Sequence, residues 1–275
     1  MPSLLMILLI CLAVAVVLAM LFLICLYPGK RRSIAPFDGV KFAHRGLHND
    51  SLPENSMAAF RAAKEAGFGV ELDIQLTADK QIVVFHDADL KRMCGVDRRV
   101  DSLTYDELQQ FTLVGSNQRI PLLRDVLAVL ETTPVLCELK SYGAVTDCSL
   151  CKAAYPLLKS YAGALCVESF NPFMIRWFRQ NHPSVIRGIL SMQYDDTSGV
   201  TRAQQFLLTA LLTNCITRPD FIAFRHTDHH VLSFRICRAL FRTATFAWTV
   251  RSQEEQDASA LYFDTVIFEN YRPKK

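Results

Sequence analysis

The sequence has little net charge, and its basic residues are scattered rather than gathered into one block. Among its 275 residues, 30 are Lys or Arg and 27 are Asp or Glu, which leaves a formal net charge of +3 at pH 7. A nucleic-acid-binding domain usually carries a concentrated basic patch, so this composition does not indicate a nucleic-acid partner. Internal repeats and low-complexity tracts are also absent after the first 28 residues, and the length suits one large domain.

The sequence also lacks a recognisable disulfide framework. Its nine cysteines are odd in number, and two of them, Cys11 and Cys25, lie in an apolar N-terminal segment. This usage agrees with a reducing compartment. Cys148 and Cys151 form a single CxxC, which could be half of a zinc site or a redox pair. Because no second pair with suitable spacing follows, we expect two thiols packed against a helix.

Charged residues are missing altogether from Leu4 to Leu26. As a helix, this stretch of about 23 residues is roughly 34 Å long, enough to cross a hydrocarbon core of about 30 Å. A cleaved signal peptide is the alternative, but the stretch exceeds a usual signal-peptide core and no Lys or Arg precedes it. We therefore predict a single-pass membrane protein whose anchor occupies residues 1–28.

A basic linker over residues 29–39 follows the predicted anchor. Lys30, Arg31 and Arg32 stand directly behind the apolar segment, whereas the first three residues offer only the α-amino group. Because cytoplasmic flanks carry the excess of Lys and Arg, this asymmetry predicts that the remaining domain, residues 40–275, is cytoplasmic.

The rest of the chain alternates short β-branched runs with helical patterns, as α/β folds do. A TIM-type (β/α)8 barrel needs eight strands, but nine runs qualify. They are Val40–His44, Val70–Thr77, Ile82–His86, Val135–Leu139, Ala164–Ser169, Val185–Leu190, Phe221–Phe224, Thr245–Val250 and Thr265–Glu269. Only residues 78–81 join the second and third runs, too few for a crossover between parallel strands. The sequence therefore predicts a (β/α)8 barrel with one antiparallel hairpin, which returns His86 to the level of Asp73.

Local capping signals predict several helices. Asn55 is the predicted N-cap of a helix that ends at Gly67, and Thr104 opens another with capping-box spacing. In the long connection over residues 87–134, we also expect a loop around Cys94–Asp101 and a helix over Leu122–Glu131.

Three carboxylates form a candidate metal site. Glu71 and Asp73 stand two residues apart in a strand, so both side chains point to one face. Such close carboxylates repel each other and need a cation. With Glu138 at the end of the next strand, the all-oxygen set suits Mg²⁺ or Ca²⁺ better than Zn²⁺. The alternative is a solvent-exposed pair on an edge strand, which fits poorly with apolar residues on both faces of this run.

Two histidines are candidate catalytic residues. His44 and His86 each end an apolar strand pattern, and barrels place their active sites at the carboxyl ends of strands. Two imidazoles on opposite sides of a phosphodiester could take a proton from the attacking oxygen and supply one to the leaving oxygen. A single strand-end histidine is more often structural, but two beside one proposed metal favour the catalytic interpretation.

Arg45 and Lys140 are candidate phosphate ligands. Arg45 can offer a planar donor fork, and Lys140 lies two residues beyond Glu138 on the same strand face. An ordinary salt bridge is the alternative for both cations. Glu54 and Asp87 are expected to orient a neighbouring histidine or arginine.

The motifs of one known family occur here in the same order and spacing. They are His44-Arg45-Gly46, Pro53-Glu54-Asn55-Ser56, Glu71 to Thr77, and His86-Asp87, followed more loosely by Glu138-Leu139-Lys140, Ser169 to Pro172 and Trp248-Thr249-Val250. On these motifs, the chain resembles the glycerophosphodiester phosphodiesterase family over roughly residues 40 to 272.

The resemblance implies a TIM-type barrel, a divalent metal, and hydrolysis of glycerophosphodiesters to glycerol 3-phosphate and an alcohol. It also implies that His44 and His86 are the acid/base pair, that Glu71, Asp73 and Glu138 bind metal, and that Arg45 and Lys140 hold phosphate. In that scheme a glycerol hydroxyl attacks first, and water then opens a cyclic phosphate.

Two late positions depart from the family pattern. Arg251 stands where an Asn commonly follows the Trp-Thr-Val motif, and Phe268-Glu269-Asn270 replaces the usual Thr-Asp. We expect these changes to affect substrate choice more than cleavage. His226, His229 and His230 could extend the site, although a solvated loop is the favoured interpretation.

The membrane anchor leaves three functions to compare. The first is hydrolysis of water-soluble glycerophosphodiesters, and the second is a phospholipase D-like reaction on lysophospholipids or sphingolipids. The third is a non-catalytic, membrane-anchored barrel that binds phosphate or lipid. The intact histidine and carboxylate set favours an enzyme.

Overall fold

The computed structural model describes residues 3–29 and 32–274. Lys30 and Arg31, on which the orientation prediction partly rests, lie outside the described residues. The strands are β1 (Phe42–Ala43), β2 (Gly69–Leu76), β3 (Ile82–Val84), β4 (Val135–Leu139), β5 (Leu165–Ser169), β6 (Ile186–Ser191), β7 (Phe221–Arg225), β8 (Ala244–Val250) and β9 (Thr265–Phe268). Each of the nine predicted runs therefore overlaps a strand.

Eight of these strands are parallel and close into a barrel. Their order is β1-β9-β8-β7-β6-β5-β4-β2, and β2 pairs with β1 to complete the ring. The remaining strand, β3, pairs antiparallel with β2, with Ile74 opposite Val84. The predicted (β/α)8 barrel and its hairpin are both confirmed. The hairpin brings the chain back to the level of Asp73, because the Phe85 N–H donates to the Asp73 carbonyl at 2.9 Å.

The helices surround the barrel and follow the capping chemistry of the sequence. They are α1 (Leu4–Leu26), α2 (Met57–Ala66), α3 (Lys91–Cys94), α4 (Tyr105–Leu108), α5 (Leu123–Leu130), α6 (Ser149–Ser160), α7 (Pro172–Asn181), α8 (Arg202–Thr209), α9 (Asn214–Thr217), α10 (Leu232–Ala239) and α11 (Gln253–Ser259). Short 3₁₀ helices cover Ala35–Phe37, Val100–Ser102 and His226–Asp228.

Two of the predicted helix features need correction. Asn55 is not the N-cap of α2, because the neighbouring Ser56 accepts the Ala59 N–H at 3.1 Å and Asn55 faces the barrel instead. The expected loop over Cys94–Asp101 also contains the end of α3 and a 3₁₀ turn. The helix end at Gly67, in the left-handed region, and the capping box at Thr104 are confirmed.

The interior of the barrel is filled at its amino-terminal end by aromatic rings. Phe221 stacks on Phe246 with ring centroids 4.3 Å apart, and Phe42 stacks on Phe246 at 5.9 Å. Phe37, from the segment before β1, packs on Phe42 and is also buried. These rings close one end of the barrel and leave the carboxyl ends of the strands for polar side chains.

Helix α1 is apolar throughout, and by length and composition it can cross a membrane; a signal sequence would meet the same criterion. It is the one such helix in the described part of the chain. Residues 3–21 are exposed, whereas Leu26 is buried in a cluster with Ile175, Leu211 and Phe234. The last turn of α1 is therefore part of the barrel's own packing.

Candidate active site

Carboxylates from three positions meet inside the carboxyl end of the barrel. Parallel pairing sets Asp73 of β2 beside Glu138 of β4, and Glu71 lies two residues before Asp73 on the same face. All three side chains are buried, and their ligand oxygens lie within 4.8 Å of one another. The three carboxylates predicted as metal ligands thus share one small volume.

The charges of this cluster are only partly balanced by the protein. Burial and the neighbouring charges of Asp73 and Glu138 raise the pKa of Glu71 well above its usual value. Burial also opposes ionisation of Asp73, but Lys140 and Arg45 hold its pKa below the usual range. An all-oxygen cluster with such repulsion fits a hard divalent cation, and it can hold one.

Lys140 lies against this cluster. Its Nζ is 2.9 Å from Asp73 Oδ1 and 2.7 Å from Glu138 Oε1. Although burial alone would lower the pKa of Lys140, the two carboxylates raise it, so the ammonium group keeps its charge. The salt-bridge alternative considered for Lys140 is therefore present in the structure.

Arg45 occupies a tight turn after β1. Its backbone lies in the left-handed region with φ of 54°, and its N–H donates to Glu71 Oε2 at 2.8 Å. The guanidinium group lies 3.3 Å from Asp73 Oδ2 and donates to Glu54 Oε1 at 2.7 Å. The next residue must be glycine, because a Cβ on Gly46 would lie 2.9 Å from the backbone of Ala59.

Each of the two predicted catalytic histidines contacts a carboxylate through Nδ1. His44 Nδ1 lies 2.5 Å from Glu269 Oε2, and His86 Nδ1 lies 2.6 Å from Asp87 Oδ1. Since a carboxylate only accepts, this nitrogen carries the proton in each neutral ring and Nε2 keeps its lone pair. Burial lowers the pKa of His44 to about 4, against the opposing effect of Glu269, so the ring is neutral at pH 7.

Glu54 and Asp87 are joined by an arginine that the sequence interpretation did not include. Arg92 donates from Nε to Asp87 Oδ2 at 2.7 Å and from NH2 to Glu54 Oε1 at 2.7 Å. Glu54 thus holds Arg45 and Arg92 together, while Asp87 connects Arg92 to His86. The Glu54–Arg92–Asp87 chain thus links Arg45 on one side of the site to His86 on the other.

Several other residues lie at the site although the sequence interpretation did not place them there. Asn55 donates to Asp73 Oδ2 at 2.8 Å, and His48 Nε2 lies 3.7 Å from Glu269 Oε2. Glu168 of β5 is buried beside Glu138, and its Oε2 has no hydrogen-bond partner. The sequence does offer a signal for Glu168, because this residue is a carboxylate at an inward-facing position of a strand. No local pattern links Glu269 with His44, which lie 225 residues apart in the chain.

The other candidate groups take ordinary structural roles. His229 stacks on Tyr262 with centroids 4.1 Å apart, and His230 lies 3.2 Å from Gln193 Oε1. His226 is half-buried near Glu255, so this segment is packed rather than freely solvated. Cys148 precedes α6 and Cys151 is buried within it, both as free thiols.

Comparisons with known proteins agree with this geometry. The model of the glycerophosphoryl diester phosphodiesterase family matches residues 44–264. Lysophospholipase D GDPD1 of Mus musculus is 36% identical over 155 residues, which cover 51% of this chain and 48% of that protein. Glycerophosphodiester phosphodiesterase 1 of Bos taurus is 30% identical over 177 residues, covering 59% and 53%. The chain thus spans about half the length of these curated relatives.

Solved structures share the fold. A phosphodiesterase of Oleispira antarctica, in complex with the product sn-glycerol-3-phosphate, superposes with a TM-score of 0.68 at 23% identity, covering 86% of this chain and 95% of that one. A glycerophosphodiester phosphodiesterase of Thermotoga maritima gives 0.64 at 24% identity, covering 83% and 94%. With its motifs, its barrel and the matched family model taken together, this chain belongs to the glycerophosphoryl diester phosphodiesterase family.

Proposed function

We propose that the protein is a metal-dependent hydrolase that converts glycerophosphodiesters to glycerol 3-phosphate and an alcohol. One observation carries the proposal: three buried carboxylates and two carboxylate-bound imidazoles converge on Asp73. His44 directly precedes Arg45, whose guanidinium group lies 3.3 Å from Asp73 Oδ2, and His86 directly follows Phe85, whose N–H donates to the Asp73 carbonyl. Family membership and the named relatives support the same reaction.

His44 and His86 form the acid/base pair of this proposal. With Nδ1–H donated to Glu269, His44 presents the lone pair of Nε2 and accepts the proton of the attacking hydroxyl. His86, oriented by Asp87, starts the cycle as the imidazolium and supplies its Nε2 proton to the oxygen of the departing alcohol. A glycerol hydroxyl attacks phosphorus first, and water then opens the cyclic phosphate with the proton roles reversed. Each ring is returned to its starting state at the end of the cycle.

Glu71, Asp73 and Glu138 are the proposed ligands of the divalent cation. When bound, the cation would neutralise their charge and polarise a phosphate oxygen and a glycerol hydroxyl. The oxygen-only ligand set favours Mg²⁺ or Ca²⁺ over softer metals. Arg45 and Lys140, both already beside Asp73, are the proposed donors to the phosphate.

The N-terminal region is proposed to be a retained membrane anchor. The domain division is 1–28 for the anchor, 29–39 for the linker and 40–275 for the barrel, with the barrel in the cytoplasm. Burial of Leu26 against the barrel supports retention, because removal of α1 as a signal sequence would uncover that part of the core. A reporter fused after Lys275 tests the orientation, since activity on the outer side of the membrane would contradict it.

The second candidate substrate is a lysophospholipid. A relative at 36% identity is named lysophospholipase D, and the apolar helix would keep the enzyme beside lipid. Both substrates share the glycerol phosphodiester, so the proposed chemistry is the same. They differ in the acyl chain, which only the second substrate carries.

The first experiment measures glycerol 3-phosphate released by the full chain from glycerophosphocholine and from a lysophospholipid. Each assay is run with Mg²⁺, with Ca²⁺ and with chelator, beside His44→Ala as the matched inactive variant. Metal-dependent release that is lost in the variant is the expected result. If folded, cation-binding protein releases nothing from either substrate, hydrolysis is wrong and a binding role takes its place.

A further inference from the structure

The last turn of helix α1 is fixed at the end of the barrel opposite the active site. The Leu26 carbonyl accepts from Asn214 Nδ2 at 3.3 Å and from the Cys237 thiol at 3.8 Å. The Tyr27 ring packs edge-on against Phe241 at 5.5 Å, and Arg218 donates to the Tyr27 carbonyl. Arg218 and Phe241 directly precede β7 and β8, so these contacts lie near the amino ends of the strands.

Phe22, one helical turn before Leu26, lies level with the carboxyl ends of the barrel strands. Phe22 lines a groove together with Val231 and Leu232, which follow β7 and begin α10. Phe22 therefore lies near the start of α10, whereas Leu26 contacts Cys237 near its end. The two helices run side by side in the same direction, away from the active-site end of the barrel.

This direction decides where the rest of α1 goes. Residues before Phe22 continue the same helix past the carboxyl ends of the strands, and residues 4–21 are exposed along their whole length. If these residues cross a bilayer, as the proposed anchor requires, the bilayer lies on the side of the active-site end. The carboxylate cluster and both histidines then open towards the lipid surface.

Exposed apolar side chains lie at this same end, beside the emerging helix. Phe206 is 64% exposed on α8, Leu207 is 43% exposed next to it, and Leu232 is 66% exposed at the start of α10. Large apolar side chains grouped next to a membrane span are suited to the lipid interface. We call Phe206, Leu207 and Leu232 the apolar lip.

The groove behind the apolar lip leads towards the active site. It is an open groove of about 470 Å³, lined by Phe22, Tyr194, Phe206, Val231 and Leu232, among others. That volume is in the range of pockets for small molecules. Tyr194 follows β6 and Val231 follows β7, so the groove lies at the carboxyl end of the barrel. The groove thus joins the apolar lip to the end of the barrel that holds the carboxylate cluster.

We propose that the apolar lip sits in the bilayer interface and that the groove receives the acyl chain of a single-chain phospholipid. The phosphodiester of that lipid would then reach the carboxylate cluster without leaving the membrane surface. This inference rests on the proposed function for its chemistry and on the proposed anchor for its geometry. The occupant is lipid rather than a protein partner, because the groove is continuous with the membrane-spanning helix through Phe22.

Tryptophan fluorescence tests the orientation without any need for activity. The full chain is reconstituted in phosphatidylcholine vesicles with or without bromine on the acyl chains, as Phe206→Trp, Leu232→Trp or Leu261→Trp. Leu261 is the matched control, because it is 73% exposed but follows α11 and precedes β9, at the opposite end of the barrel. Emission is taken relative to the unsubstituted protein, which contains Trp177 and Trp248.

We expect bromolipid to quench the added emission at positions 206 and 232 and to leave position 261 unchanged. Quenching at 261 alone, or equal emission at all three positions in both vesicles, would overturn the proposed orientation. This result is obtained whether or not the protein hydrolyses anything, so it is separate from the proposed function.

Hydrolysis of two substrates tests the groove. The double variant Phe206→Glu/Leu232→Glu is compared with Leu261→Glu on a lysophospholipid in vesicles and on glycerophosphocholine in solution. We expect the double variant to lose on the order of ten-fold in rate on the lipid, because two apolar contacts become charged, and to keep its rate on the soluble substrate. An equal loss on both substrates, or no loss on either, would overturn the acyl-chain groove. No hydrolysis by the unsubstituted protein would instead contradict the proposed function.

Discussion

Glu269 contacts the imidazole of His44 through Oε2 at 2.5 Å while its other oxygen, Oε1, lies 2.7 Å from NH2 of Arg251. The two late departures from the family pattern, Arg251 and Glu269, therefore pair with each other. Burial opposes ionisation of Glu269, but the hydrogen bond with His44 and the charge of Arg251 keep its pKa below the usual range. Through Glu269, this ion pair contacts His44, the proposed general base. Its position suits orientation of that ring as well as the effect on substrate choice that we expected from the sequence.

Substitution of Glu269 by Gln tests this orienting contact. The amide can donate to His44 Nδ1 as well as accept from it, so the ring loses its fixed tautomer. We expect kcat to fall about 100-fold, with little change in cation binding by the three-carboxylate cluster. Steady-state kinetics and cation titration measure the two effects.

Arg251→Gln is the control for that variant. It removes the ion pair but leaves the Glu269–His44 contact in place, so its loss of kcat should be clearly smaller. If both variants lose the same fraction of kcat, the Arg251–Glu269 ion pair, and not the fixed tautomer, determines the activity of His44. A loss below two-fold in Glu269→Gln would contradict the orienting role.

The local parts of this structure could be predicted, and the long-range contacts of the site could not. Apolar run length and the four-residue connection at 78–81 were enough for the strands and the hairpin, because both depend on near neighbours in the chain, and eight parallel strands with crossovers then fit a closed barrel. By residue type, Asn55 and Ser56 are equally good N-caps. Only the folded barrel distinguishes them, because it places Asp73 within hydrogen-bond distance of Asn55. Glu269 meets His44 only because β9 closes the barrel beside β1.

Removal of the divalent cation is expected to destabilise the protein as well as inactivate it. Burial and the neighbouring Asp73 and Glu138 charges raise the pKa of Glu71, so a bound cation should relieve repulsion that the folded state otherwise bears. At a concentration about 100 times its Kd, the cation would add about 2.7 kcal/mol, or roughly 5–10 °C in Tm. Thermal unfolding with Mg²⁺, with Ca²⁺ and with chelator measures this shift.

Asp73→Asn should abolish most of that shift in Tm, since it removes a proposed ligand. The matched control is Glu168→Gln, a buried carboxylate on the next strand beyond Glu138 that lies outside the three-residue cluster. The control should keep its response to cation. A full response in Asp73→Asn would mean that the cation binds elsewhere.

Arg92 should stabilise the protein at neutral pH and lose that effect in acid. Burial opposes ionisation of Glu54 and Asp87, but hydrogen bonds from Arg92, and from His86 to Asp87, hold both pKa values below the usual range. Carboxylates with a lowered folded-state pKa stabilise above their unfolded pKa of about 4 and lose this contribution as pH falls further. Arg92→Met should therefore cost about 1 kcal/mol at pH 7, as expected for a half-exposed ion pair.

The pH dependence distinguishes this effect from lost packing. The difference in unfolding free energy between Arg92→Met and the unsubstituted protein should be largest near pH 7 and shrink towards pH 2, in denaturant titrations at several pH values. A constant difference over that range would show that Arg92 acts through its aliphatic stem and not through its charge.

Gly188→Ala should destabilise the closed end of the barrel. A Cβ at this position of β6 would lie 2.1 Å from the Phe221 ring, which is itself stacked on Phe246 and fully buried. Because the ring has no free space to move into, the added methyl group overpacks the interior, at a cost of about 1–3 kcal/mol. Denaturant unfolding measures this cost, and Gly143→Ala is the control, since a Cβ there meets nothing within 4 Å. Equal stability of the two variants would mean that the aromatic stack can yield, and the end of the barrel opposite the active site would then be looser than its packing indicates.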